Sequence, residues 1–387
     1  MNFLITIIIY LSFTGFLLGD NGVKTVCLNM IVKNESAIIE RCLSSVKPFI
    51  DYWVIVDTGS TDETKEIIQN FLQDVPGTLH ERSWINFEEN RNQALSLAQG
   101  KADYILFIDA DEELIFSTLP DKTLLTQDFY YIVSKYFGMN YKRVQLVQAS
   151  LDWRWQGVIH ETLKSSLAHS NATLEGVFNK VLPEGNRSKD PEKYIKDAHL
   201  LEQALIKDPF NTRYTFYLAQ SYKDAGLYDL AIQTYFKRIS LGGFSEEVFW
   251  SLYQIAILQE LSNQPSSIFI QSYKIALNHS PLRIEPLYRL INYYRRQSNF
   301  LTAYELSLSF PKNTQSSPVL FEETWMHEYG LLLEKAFCAL KLNNYLEANL
   351  IYNHLLAQDS LPLEIQSHIK HNLSIIDQIQ VAPTKIL

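Results

Sequence analysis

Tyr104-Ile105-Leu106-Phe107-Ile108-Asp109-Ala110-Asp111-Glu112-Glu113-Leu114 is an apolar run that breaks abruptly into acid. Its β-branched and aromatic residues predict a buried strand, Tyr104–Ile108, that ends at Asp109. Two carboxylates one residue apart at a strand end, Asp109 and Asp111, project to the same side. Such a pair can hold one hard divalent cation, Mg²⁺ or Mn²⁺, together with the phosphates of a ligand. A solvated acidic turn has the same sequence, so the reading depends on its surroundings.

Upstream, Val26–Val32 (VCLNMIV) and Tyr52–Asp57 (YWVIVD) read as two more buried strands. Between them, Ile38, Ile39, Cys42, Leu43 and Val46 recur at helical spacing. Ser60 or Thr61 is expected to cap the next helix, with Asp62 and Glu63 in its first turn and Ile67, Ile68, Phe71 and Leu72 as its buried stripe. A third helix, about Phe87 to Ala98, feeds the Tyr104 strand. Strands and helices alternating over short connections imply right-handed βαβ units, a parallel sheet with helices on both faces, and ligands at the carboxyl ends of the strands. Asp57 and the Asp109/Asp111 pair both fall at such ends.

With 387 residues the chain exceeds one ordinary core. A hydrophobic content of 47% against 20% charged residues marks it as packed rather than disordered. A net charge of −9 without a basic run argues against nucleic acid as partner. Cys27, Cys42 and Cys338 have no CxxC spacing, so neither a disulfide framework nor a zinc site is expected.

Phe3 to Leu18 is almost unbroken apolar, marginal for a bilayer span and long for a signal-peptide core. No Lys or Arg precedes it, whereas Lys24 and Lys33 follow, so a membrane anchor with a cytoplasmic catalytic domain is the expectation. A cleaved signal, with a secreted or lumenal chain, is the alternative; the Asn-x-Ser/Thr triplets at Asn34, Asn171, Asn186, Asn278 and Asn372 would matter only there.

After Asp190 the strand-like runs give way to helical spacing. Ala219, Gly226, Tyr228, Ala231 and Tyr235 fit the small and aromatic positions of a tetratricopeptide repeat. Ala256, Tyr273, Ala276 and Pro281, then Ile291, Phe300 and Ala303, then Ala336, Tyr345, Ala348 and Tyr352 repeat the pattern. Small residues at a helix crossing let two helices approach while each aromatic fills the gap beside it. The expected division is 1–20 as anchor or signal, 21–190 as an α/β domain with a Rossmann-like mixed or parallel sheet, and 191–387 as an all-α helical repeat domain.

MIVKNE (residues 30–35), RCLSSV (41–46), VDTGSTD (56–62), ENRNQAL (89–95) and FIDADEEL (107–114) together resemble family 2 glycosyltransferases of the GT-A fold, in order and spacing, over about residues 25 to 162. The resemblance implies Asp57 at the uracil or ribose of a nucleotide-sugar donor, most simply a UDP-sugar. It implies Asn34 and Ser60 beside it, Asp109 near ribose and metal, Asp111 as metal ligand, and Arg91 and Asn92 on the diphosphate side. The segment Trp153–Glu161 looks like the family's late metal-closing element, which implies His160 as a metal ligand and Glu161 as the catalytic base, with Glu112, Glu113 and Asp152 as rivals. Adjacent residues on a strand point to opposite faces, so His160 and Glu161 could both aim inward only where the backbone bends. Arg91 and Asn92 could also be a plain helix surface, and Trp153 and Trp155 either a sugar platform or core.

GNRSKDP (185–191), YTFYLAQSY (214–222) and EPLY (285–288) are similar to segments of the repeat-bearing members of that family, whose soluble members lack the apolar N-terminus. The expected activity is inverting transfer of a hexose, with a divalent cation, to a protein, peptide or glycan acceptor presented by the repeats; association with a membrane and a homodimer are both compatible. The alternatives are a membrane-surface transferase acting on a lipid-linked acceptor, and a non-catalytic repeat scaffold.

Overall fold

The computed structural model describes residues 22–309, 320–358 and 361–381. The apolar stretch expected to be an anchor or signal lies outside them. Among the described residues, no helix is long and apolar enough to cross a membrane.

The first half is built on a mixed sheet in the order β3-β2-β1-β4-β7-β6-β10-β5. Its parallel part comprises β1 (Val26–Val32), β2 (Tyr52–Asp57), β3 (Gly77–Glu81) and β4 (Tyr104–Phe107), linked by α1 (Ile39–Val46), α2 (Thr64–Phe71) and α3 (Phe87–Ala98). Alternation explains why these runs are apolar throughout. Val26, Leu28, Met30, Ile55, Tyr104 and Leu106 turn to one face and pack with Ile39, Leu43 and Val46 of α1 and Ile68 of α2. Cys27, Val54, Ile105 and Phe107 turn to the other, against Leu95 and Ala98 of α3. A strand covered on both faces has no side left for polar residues.

The remaining strands are β5 (Glu112–Phe116), β6 (Phe129–Tyr136), β7 (Met139–Gln148) and β10 (Asn171–Val181), with β7 antiparallel to both β4 and β6. A separate ribbon, β8 (Arg154–Gln156) and β9 (Thr162–Lys164), frames residues 157–161. The parallel βαβ expectation thus holds for one half of the sheet, and the other half is mixed. The cap expected for α2 is corrected: the helix begins at Thr64, Asp62 accepts from the Thr64 N–H at 3.1 Å, and Ser60 and Thr61 bond Asn34 instead.

The second half is helical: α4 (Lys193–Lys207), α5 (Thr212–Asp224), α6 (Tyr228–Ser240), α7 (Ser245–Leu261), α8 (Ser266–His279), α9 (Glu285–Arg296), α10 (Phe300–Leu308), α11 (Leu331–Lys341), α12 (Tyr345–Leu356) and α13 (Leu363–Val381). Most of the small and aromatic positions read from the sequence are its core, whereas Gly226 and Pro281 are exposed and Tyr228, Phe300 and Tyr345 are half-buried. Ala219, Ala231, Tyr235, Ala256, Tyr273, Ala276, Ala303, Ala336, Ala348 and Tyr352 are all fully buried. Tyr235 packs against Phe216 and Tyr273 against Tyr253, so these aromatics fill the gaps between neighbouring helices. The helical half is not free of strands: β11 (Glu322–Glu323) adds to the edge of β7. Ile159 of the sheet half lies within the helical core, with Phe87, Met139 and Val158 packed against it. All three cysteines are buried free thiols.

Candidate active site

The carboxyl ends of β1, β2 and β4 converge on one edge of the sheet. Asp57, fully buried at the end of β2, accepts from the Gly59 and Ser60 N–H groups through Oδ2 at 3.0 and 2.9 Å. Its Oδ1 has no hydrogen-bond partner. A buried carboxylate oxygen left unpaired is costly unless a ligand donor completes it. Asn34, at the end of β1, has a left-handed φ of 56°. Its N–H donates to Ser60 Oγ and its Oδ1 accepts from the Thr61 N–H, both at 2.8 Å. Asn34 and Ser60 thereby lock the β1 and β2 loops together around Asp57, and both side chains are engaged within the protein.

Beyond β4, Asp109 lies between two arginines. Arg91 of α3 donates from Nη2 to Asp109 Oδ1 at 2.7 Å, and Arg143 of β7 stands 3.6 Å from Asp109 Oδ2. Burial acts to raise the Asp109 pKa, but Arg91 and Arg143 outweigh it and hold the group below the usual carboxylate range. Arg143 also clamps Glu112 at 2.6 and 2.8 Å, and Glu112 accepts from the Asp109 N–H at 3.0 Å. Glu112 is therefore part of the frame around Asp109, paired with an arginine as Glu161 is. Glu113 sits 3.5 Å from Lys180, and Asp152 organises the exposed turn at Ser165 and Ser166.

Asp111 is different. Among the described residues it makes no ion pair, and burial followed by repulsion from Asp109 raises its pKa. Gly185 lies so close that an added Cβ would stand 2.9 Å from Asp111 Oδ2. Glu35 shares this corner: burial, offset in part by the Asn186 N–H and reinforced by Asp111, pushes its carboxyl up to about 7. Arg187, Lys189 and Lys193, from the segment leading into α4, act electrostatically on this corner and on His160. Neither Glu35, Arg143 nor these basic residues were singled out from the sequence. The GNRSKDP run was the available signal for the last group.

Glu161 bonds Arg91 Nε, so the run Glu161–Arg91–Asp109–Arg143–Glu112 is one alternating charge chain. Asn92, expected on the diphosphate side, is corrected: its amide donates to the Trp155 carbonyl and accepts from the Trp155 N–H, both at 2.9 Å. Trp155 and Trp153 are both buried, and Arg91 lies 5.0 Å over the Trp155 ring, so the two tryptophans are core.

The backbone does bend at the Gly157–Glu161 segment. His160 has φ 52°, which turns its ring away from Glu161 and flat against Tyr217 of α5, with centroids 3.9 Å apart and planes 9° apart. Its surroundings are crowded, and that desolvation, then Arg213, Arg187 and Lys193, lower the imidazole pKa although the ring keeps solvent access. The charged groups that act on His160 are thus cations. Among the described residues, no group of three or more His, Cys, Asp or Glu side chains is gathered to hold a metal ion.

Residues 27–168 match the family model described as glycosyl transferase family 2. Glycosyltransferase SunS, derived from the SPbeta prophage of Bacillus subtilis, is 27% identical over 213 residues, covering 51% of this chain and 49% of that protein. A TPR repeat-containing protein of Synechococcus elongatus is 43% identical over 91 residues, 23% of this chain and 21% of its own length. An uncharacterised glycosyltransferase of Rickettsia bellii is 37% identical over 91 residues, 24% of this chain and 29% of its own length. The chain therefore aligns with between about a fifth and a half of the length of these relatives. The crystal structure of S. aureus TarS covers 60% of this chain and 53% of its own, at 13% identity and a TM-score of 0.32. Residues 27–168 belong to glycosyl transferase family 2, and the helices that follow are tetratricopeptide-like repeats joined to that domain.

Proposed function

We propose that the chain transfers a hexose from a UDP-sugar to a protein, peptide or glycan acceptor, with a single inverting displacement at the anomeric carbon. The observation that carries this reading is the contrast at the β4 end: Asp109 is held between two arginines, whereas Asp111, among the described residues, makes no ion pair. A carboxylate raised in pKa by burial and by a like charge gains most from a cation. Asp111, backed by Gly185, is the carboxylate proposed to hold a divalent ion, with His160 as the further candidate. Mn²⁺ or Mg²⁺ at Asp111 would supply charge neutralisation for the departing diphosphate.

The chain's own residues do the rest. The unpaired Asp57 oxygen supports the reading of Asp57 as acceptor for a donor N–H of the nucleotide base. Arg91, held by Glu161 and Asp109, keeps a positive charge at the diphosphate side with its geometry fixed in advance, which is where a developing negative charge is best stabilised. Glu161 takes the acceptor proton once the acceptor competes for its pair with Arg91. A UDP-sugar panel with Mn²⁺ or Mg²⁺, reading UDP release and product mass, tests this. UDP release that needs the cation and is abolished in Asp111→Asn supports it; release that survives chelation and that substitution overturns it.

A further inference from the structure

The segment that carries Glu161 is held from outside its own domain. Gly157 has φ 121° and its Cα position faces the Glu161 backbone, where a Cβ would stand 3.3 Å from Glu161 Cα. With His160 at φ 52°, this is a tight, strained loop that needs external support. Within the sheet half, Glu88 accepts from the Gly157 N–H at 2.9 Å. Most of the remaining support comes from α5 of the helical half. Arg213 Nε donates to the His160 carbonyl at 2.9 Å, the Tyr217 ring covers the His160 ring, and Tyr214 Oη accepts from the Val158 N–H at 3.3 Å. Ile159 is buried among Ala198, Leu201 and Phe216.

Arg213 is itself held. Its guanidinium lies 4.8 Å over the Tyr217 ring and 3.9 Å from Glu247 of α7, and Glu247 is paired at 2.8 Å with the fully buried Arg238 of α6. Helices α6 and α7 thus brace the α5 residue that holds the loop, whose last side chain holds Arg91 against Asp109. We propose that Arg213 and Tyr217 are positioning residues for the transfer reaction: the first repeat helix is a structural part of the active site, setting the 157–161 loop so that Glu161 and Arg91 meet Asp109. This rests on the reading of that charge chain as the donor site.

The test uses the full chain. UDP-glucose and UDP-N-acetylglucosamine with Mn²⁺ are the probes for UDP release, and hydrogen exchange of residues 157–161 is the second readout. Arg213→Ala and Tyr217→Leu are expected to lower kcat about tenfold or more with KM changed less than about twofold, since misplacing catalytic groups costs rate rather than binding. Both should speed exchange in the loop. Tyr217→Phe keeps the stacked ring and is expected to restore both readouts, and Arg213→Lys, which keeps the charge, guards against misfolding of the alanine variant. Wild-type kcat and loop exchange in Arg213→Ala and Tyr217→Leu, a loss carried by KM alone, or equal losses in Tyr217→Phe and Tyr217→Leu would overturn the proposal. If the wild type releases no UDP from either donor, the functional reading fails for them, while loop exchange still decides whether α5 sets the loop.

Discussion

Arg91→Met removes the guanidinium that Glu161 and Asp109 share and keeps most of its apolar stem against Trp155. The Arg91 side chain is 12% exposed, that of Glu161 9% and that of Asp109 31%. Asp109 retains Arg143 at 3.6 Å, so Glu161 bears the greater loss. Breaking a buried ion pair by removing one partner costs about 3–5 kcal/mol, and with one carboxylate still paired the lower end, about 3 kcal/mol, applies. Urea unfolding followed by tryptophan emission measures it, with Trp155 as the local reporter because its ring lies 5.0 Å from the Arg91 guanidinium. Adding Glu161→Leu removes the stranded charge and should recover about half of the loss, since an apolar replacement of a whole buried pair is often near neutral. UDP release should stay lost in both variants. A loss under about 1 kcal/mol, the range of solvent-exposed pairs, with no recovery in the double variant, would refute the view of this chain as a buried clamp.

Glu35→Gln tests the acidic corner. Its folded pKa of about 7 lies above the ordinary 4.5, so the protonated form is favoured by folding. That contribution is complete below the unfolded value and is lost as pH rises through about 7. The variant should therefore gain stability relative to wild type between pH 5 and pH 8; urea midpoints that move in parallel would contradict this. Asp57→Asn, which changes the unpaired oxygen's site, should weaken UDP binding about 10–100-fold by calorimetry without unfolding the sheet, as expected when a charged acceptor is lost. Gly185→Ala drives a methyl to 2.9 Å from Asp111 Oδ2 and should lower UDP release about tenfold with the melting curve little changed. Unaltered release would mean that the position of Asp111 is not critical.

The parts legible in the sequence were those whose cause is local. Val26–Val32, Tyr52–Asp57 and Tyr104–Phe107 are covered on both faces, so burial writes itself as unbroken apolar runs. The repeat alanines and tyrosines were legible for a similar reason, since the helix crossings recur at a fixed interval. Gly77–Glu81 was missed because this edge strand is only half buried and its residues, GTLHE, carry no alternation. In β6, β7 and β10 the inward positions include Ser134, Gln145 and Asn179, all fully buried, which breaks the apolar period. In the proposed site, Asp57, Asp109, Asp111, Arg91 and Glu161 were singled out through the family resemblance that their motifs carry. Arg143 was not, because its partner Glu112 is 31 residues away and only the sheet joins them. The direction of His160 depended on one left-handed φ and on Tyr217, a residue readable from sequence only as repeat core.

Calorimetric titration of UDP into the full chain, with and without Mn²⁺, bears most directly on the claim that Asp57, Asp109 and Asp111 line one nucleotide cleft. Binding is expected that requires Mn²⁺, disappears in Asp111→Asn and weakens in Asp57→Asn. UDP binding of equal strength in the absence of the cation and in both variants, or no binding under any of these conditions, would contradict it.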